Sequence, residues 1–70
     1  MDLTLKDYRV QLGWNVSTLA KHAGISRQAV NNAERGAAIQ AETAKAIADA
    51  LSKGYGREIS VLNIRGLVII

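Results

Sequence analysis

Apolar residues recur along this chain in short clusters punctuated by glycines, and the spacing inside each cluster is that of a helix. In "TLKDYRVQLG", Leu5, Tyr8 and Leu12 fall on one helical face, Thr4 and Asp7 fit a capping box, and Gly13 offers a left-handed stop. The next cluster, "NVSTLAKHAG", opens on Asn15, whose side-chain oxygen can hold the free amides of a helix start. It turns Leu19, Ala20 and Ala23 inward and closes at Gly24. Ser26 caps a third helix running to about Arg35, with Val30 and Ala33 inward and Gly36 as its stop. From about Ala41 to Ser52, Ala44, Ile47, Ala48 and Leu51 keep the i, i+3, i+4, i+7 spacing of a fourth helix, which Gly54 is expected to end. The tail, "REISVLNIRGLVII" from Arg57 to Ile70, carries two readings. One is a Ser60-capped turn through Ile64. The other is β-strand, on the strength of Ile59, Val61 and the Val68 to Ile70 end, and periodicity does not separate them in so short a run.

The junction between the second and third helices is the most informative point in the sequence. Two short helices that cross steeply leave room only for small side chains at their contact, and Ala20 and Ala23 stand there. Gly24 permits the turn, Ile25 can plug the gap beneath it, and Val30 anchors the third helix. These are the requirements of a helix-turn-helix, placed at residues 16–35. Anchoring through Val30 turns the other side of the third helix outward, and that side carries Arg27, Gln28, Asn31, Asn32 and Arg35. Arginine can donate two hydrogen bonds to guanine, and glutamine or asparagine can pair bidentately with adenine in the major groove. A recognition helix meets base edges first through its N-terminal residues, which here are Arg27 and Gln28, with Asn31 and Asn32 one turn further on.

Composition narrows the partner. Seventy residues with 49% apolar content suffice for one domain, 1–70, with its own core but not for a second module. Nine Lys and Arg against six Asp and Glu give a charge of +3, and the isoelectric point near 9.7 favours an anionic partner. Trp14, Tyr8 and Tyr55 are the only aromatic residues, too few for the stacking platforms used on single strands, so duplex DNA is the better match. The absence of Cys and the single His, His22, leave no thiolate zinc site and no multi-histidine metal site, and no cofactor is expected. The sequence has no Ser-His-Asp arrangement, glycine-rich phosphate loop or carboxylate pair, so neither an enzyme nor a small-molecule substrate is expected. His22 is read as a surface residue and Trp14 as part of the core. The N-terminus alternates charged and apolar residues, unlike a signal peptide, and no run approaches the roughly 20 apolar residues of a membrane span. The expected location is the cytoplasm, away from any membrane.

With these residues in view, the chain resembles the Cro and repressor type (XRE-like, lambda repressor-like) of helix-turn-helix regulators from temperate phages and mobile elements. The resemblance runs from Leu5 to about Leu51 and is most specific in "YRVQLGWN" and "LAKHAGISRQAVNNAERG". It implies an all-α fold, a compact domain of four to five helices, with the tail at 57–70 open to a short strand. Arg27, Gln28 and Asn32 match the positions that most often read bases in this family, with Asn31 a neighbour. Asn15, Val16 and Ser17 match the start of the second helix, where members grip phosphate. Lys21, Ser26 and Arg35 complete the expected phosphate contacts, and Arg9 and Glu34 match a pair that ties the first helix to the third. The sequence departs from the family at Val16, where many members have Gln, and in "GAAIQ", which lacks the usual basic residue after the glycine; both imply modest affinity per monomer. The resemblance implies a sequence-specific transcriptional regulator, read as a repressor. The apolar "GLVII" end is expected to make a homodimer on DNA, facing a near-palindromic operator with recognition helices about 34 Å apart. The competing reading folds Leu67 to Ile70 back over the monomer's own core beside Leu51. The rival function is a protein-interaction module, antitoxin-like or an adaptor subunit, holding a partner through the same tail.

Overall fold

The computed structural model describes residues 3–70; Met1 and Asp2, the first two residues of the expected domain, lie outside it. The element order is β1 (Leu3–Thr4), α1 (Leu5–Gln11), α2 (Val16–Ala23), α3 (Arg27–Glu34), β2 (Ala38–Ile39), α4 (Ala41–Tyr55), a 3-10 turn (Val61–Asn63), β3 (Ile64–Arg65) and β4 (Val68–Ile69).

Three of the four helix starts are held by side chains. At α1 the Thr4 hydroxyl accepts from the Asp7 amide and the Asp7 carboxylate accepts from the Thr4 amide, so two unpaired donors are satisfied reciprocally. Asn15 and Ser26 do the same one-sidedly for α2 and α3. Gln40 starts α4 without a side-chain bond. Gly24 closes α2 in the left-handed conformation, at φ +70°, which an L side chain rarely adopts.

The helices enclose one core in which Leu5, Leu19, Val30, Ile47 and Leu51 are the largest fully buried side chains, and among the described residues no polar or charged residue is buried with them. Burial at about 25 cal/mol per Å² of apolar surface stabilises helices that, at seven or eight residues, would not persist alone.

The sequence reading of α4 needs one correction. The helix does not stop at Gly54 but continues to Tyr55, and Gly56, at φ +70°, is the left-handed cap. Gly54 lies inside the helix for a tertiary reason: a Cβ there would stand 2.8 Å from Leu12 Cδ1 and 2.9 Å from the Trp14 ring. The missing side chain admits the end of α1 and the α1–α2 turn against α4.

Both readings of the tail contribute to what forms. Ser60 caps the 3-10 turn, its hydroxyl accepting from the Leu62 amide. The chain then extends into β3 and β4. Each pairs in parallel with a short strand from earlier in the chain, Leu3 opposite Ile64 and Ala38 opposite Val68. Parallel pairs need a long crossover, and α4 supplies it for β2 and β4. The fold is therefore helical with two two-stranded parallel clips, and β2 falls in the "GAAIQ" stretch, for which the sequence gives no strand signal. Leu67 packs on the core, and the Ile70 amide donates to the Ile39 carbonyl at 2.8 Å. Ser52 ties the tail to α4: its hydroxyl donates to the Ala48 carbonyl and accepts from the Ile59 amide. Among the described residues, no helix is long and apolar enough to cross a membrane.

Candidate nucleic-acid interface

The starts of α2 and α3 open onto one surface. An open groove of about 840 Å³ runs between them, bordered by Asn15, Ser17, Ser26, Arg27, Gln28 and Asn31, and reaches Arg9. Each start leaves backbone N–H groups unpaired at the positive end of a helix dipole, which favours an anion. The capping residues keep donors as well. The Asn15 side-chain oxygen accepts from the Thr18 amide at 2.8 Å and from its hydroxyl at 3.0 Å, leaving the Asn15 NH₂ uncommitted. The Ser26 hydroxyl accepts from the Ala29 amide at 3.1 Å and retains its own proton to donate. Ser17 and Lys21 are exposed on α2.

On α3, Val30 and Ala33 are buried while Arg27, Gln28, Asn31 and Arg35 are exposed and Asn32 is half-buried. The Asn32 side-chain oxygen accepts two hydrogen bonds, from Gln28 Nε2 at 3.0 Å and from an Arg35 guanidinium nitrogen at 2.7 Å. Sequence reasoning treats these three as separate contacts. Their i, i+4 and i+3 spacing was the available signal that they touch. Lys21 stands on α2 and takes no part in these bonds, and Arg35 bonds back along α3 to Asn32.

Behind the reading face, Arg9 on α1 meets Glu34 on α3 through two parallel bonds, Nε to one carboxylate oxygen at 2.6 Å and a terminal nitrogen to the other at 3.2 Å. Its second terminal nitrogen donates to the Trp14 carbonyl at 3.0 Å. The two side chains are only 12% and 14% exposed, so water does little to screen the pair. The fork geometry fixes α3 against α1 in angle as well as distance.

Two aromatic arrangements escape the sequence reading. His22, an exposed residue, lies parallel to Trp14 with ring centroids 4.4 Å apart. Tyr55 meets Tyr8 edge to face at 5.7 Å, donates its hydroxyl to the Tyr8 carbonyl at 2.7 Å, and has the Arg57 guanidinium 5.4 Å from its ring. Burial pushes the Tyr55 phenol above its ordinary value, Tyr8 adds to the rise, and Arg57 opposes it. The Tyr8–Tyr55 pair has no periodic signature, because it joins elements distant in the chain, and the Trp14–His22 stack joins the α1–α2 turn to α2 at a spacing that no helical repeat marks.

A family model described as helix-turn-helix matches residues 5–56, from the first residue of α1 to the glycine that closes α4. No curated protein and no solved structure matches the chain.

Proposed function

This chain belongs to the Cro and repressor type (XRE-like) of the helix-turn-helix family, a family of DNA-binding regulators, and on that premise we propose that it is a sequence-specific repressor that reads duplex DNA. In this reading α3 enters the major groove, with Arg27, Gln28 and Asn31 as its reading face and Asn32 bonded beside Gln28. Asn15, Ser17, Ser26 and the free amides of α2 and α3 grip phosphates, with Lys21 and Arg35 adding charge. The observation that carries the proposal is the coincidence of two helix N-termini and a polar, outward α3 face on a single groove. Phosphate contacts would set register and orientation, and base-edge contacts would supply sequence information.

A second copy completes the site in this proposal. One recognition helix spans few base pairs, and a two-fold pair places two such helices about 34 Å apart on a near-palindromic operator. The outer face of the β2–β4 clip supports it: strand alternation puts Ala38, Val68 and Ile70 on the side away from buried Ile39, and Val68 and Ile70 are 47% and 81% exposed. The same exposure supports the rival reading, a module that docks a partner protein through its tail.

Unbiased selection of duplex sites from a random pool tests the proposal. Arg27→Ala and Gln28→Ala are each expected to weaken binding to the selected site by about 1–3 kcal/mol with the helical circular dichroism unchanged. Affinity should fall steeply with salt as counterions are released, whereas apolar docking of a protein would be nearly indifferent to it. A parent chain that enriches no sequence, or variants that bind as the parent does, would refute the reading face.

A further inference from the structure

We propose that Asn32 is a positioning residue, whose side-chain oxygen holds Gln28 with one fixed donor–acceptor edge toward the groove, selective for adenine. The inference rests on α3 being the recognition helix and assigns the role of one residue within it.

The orientation of the three side chains follows from their chemistry. A guanidinium has only donors, so the Asn32 atom that faces Arg35 at 2.7 Å is the oxygen. The same oxygen faces Gln28 at 3.0 Å, so the Gln28 atom nearest to it is the nitrogen. The positive charge on Arg35 thus sets the amide of Asn32, and Asn32 sets the amide of Gln28. Residues 28, 32 and 35 lie along one stripe of the helix, where such side chains are neighbours.

The donor and acceptor count then separates the two amides. An amide oxygen has two acceptor sites, and both of those on Asn32 are filled. Bidentate reading of adenine needs an acceptor for N6–H and a donor for N7, so Asn32 lacks half of the requirement. Gln28 keeps the whole of it: its oxygen is free, and one of its two N–H donors remains after the bond to Asn32. An unconstrained glutamine can turn either edge to a base, whereas this one is held from behind, and its preference for adenine is sharpened accordingly.

The test compares base preferences selected by the parent, Gln28→Ala, Asn32→Ala and Asn32→Asp, each checked for folding by circular dichroism. The base pair whose preference collapses in Gln28→Ala is the one Gln28 reads, and the parent should favour adenine there by about 5- to 150-fold. Asn32→Ala should lower that preference to less than about threefold at the same base pair and leave the others unchanged. Asn32→Asp retains the acceptor oxygens for Gln28 and Arg35 but has no donor of its own. It should keep the adenine preference while its added charge weakens affinity for all sites alike.

Asn32→Ala erasing preference at a second base pair that Gln28→Ala leaves intact would overturn the assignment and make Asn32 a base contact. So would a Gln28 base pair without adenine preference, or loss of the preference in Asn32→Asp. A parent that enriches no site overturns the reading face itself, a result distinct from all three.

Discussion

Breaking the Arg9–Glu34 pair should loosen the recognition helix from the rest of the domain, and the cost can be bounded from the geometry. Glu34→Ala removes two charge-assisted bonds and leaves the Arg9 guanidinium with only the Trp14 carbonyl in a site where both side chains are nearly covered. Breaking a buried pair costs about 3–5 kcal/mol and an exposed one about 0–1. Exposures of 12% and 14% put this pair near the first limit, and relaxation of Arg9 toward solvent lowers the expected loss to about 2–4 kcal/mol. For a domain of this size about 4–8 °C is lost per kcal/mol, so the melting temperature should fall by roughly 8–32 °C. Arg9→Ala should cost at least as much, since it strands Glu34 and also deprives the Trp14 carbonyl of its donor. Glu34→Gln, which keeps one acceptor, should cost less than either. The double variant strands neither charge, and its loss should fall short of the sum of the single losses by about 1.5–3 kcal/mol. Thermal and urea melts of the four variants measure this. Losses that add to within about 0.5 kcal/mol would show that the two residues do not act as a pair.

Three further outcomes follow from the packing. Gly54→Ala should gain about 1 kcal/mol of helix propensity yet lose about 1–3 to collision with Leu12 and Trp14, for a net fall in melting temperature and a shift in tryptophan fluorescence; a rise would mean that the ring moves aside freely. Tyr55 titrates higher in the folded chain than in the unfolded one, so the stability it contributes is full below about pH 10 and lost as pH rises beyond it. The stability gap between the parent and Tyr55→Phe should therefore narrow between pH 9 and pH 11 (values about one unit either side of the free phenol), and a constant gap in urea melts would contradict the assignment. Deleting Leu67 to Ile70 should convert a two-to-one complex on a palindromic site into a one-to-one complex on a half-site, read by light scattering; a parent that is already one-to-one would dispose of the dimer.

What could be read from the sequence was what is local. Thr4, Asn15 and Ser26 each bond an amide three residues on, so the information needed to place those helix starts lies within one turn of chain. The i, i+3, i+4 spacing likewise gives the buried face of α4. Gly54 misleads because its purpose is not local: its lack of a side chain serves Leu12 and Trp14, some forty residues away, and the rule that glycine ends helices applies two residues later at Gly56. The clips β1–β3 and β2–β4 are only two residues long on each side, below the length at which alternation is visible, and their partners lie far apart in the chain. In the candidate interface the residue types and their outward direction were legible. The bonds among Gln28, Asn32 and Arg35 depend on rotamers that spacing permits but does not dictate.

The division of labour within α3 has a consequence for how this surface can change. An eight-residue helix is too short to hold itself, so its position comes from Val30 and Ala33 in the core, from Glu34 on Arg9, and from the chain leaving directly into β2. None of these anchors is on the outward face. Arg27, Gln28 and Asn31 are exposed and hold no other element, so exchanging them should leave stability within about 0.5 kcal/mol while altering what is bound. Substitution at Arg9, Val30 or Glu34 instead tilts or frees the whole helix and should degrade recognition of all sites together. Specificity and rigidity are thus carried by different residues of the same two turns, and Asn32 belongs to both groups. It is half-buried and bonded along the helix, yet through Gln28 it bears on the base that is read. A chain that changed its preferred site by replacing Gln28 alone would leave the Asn32 oxygen with Arg35 as its one partner. Gln28 and Asn32 should therefore change together more readily than either does with Arg27, which makes no bond to them.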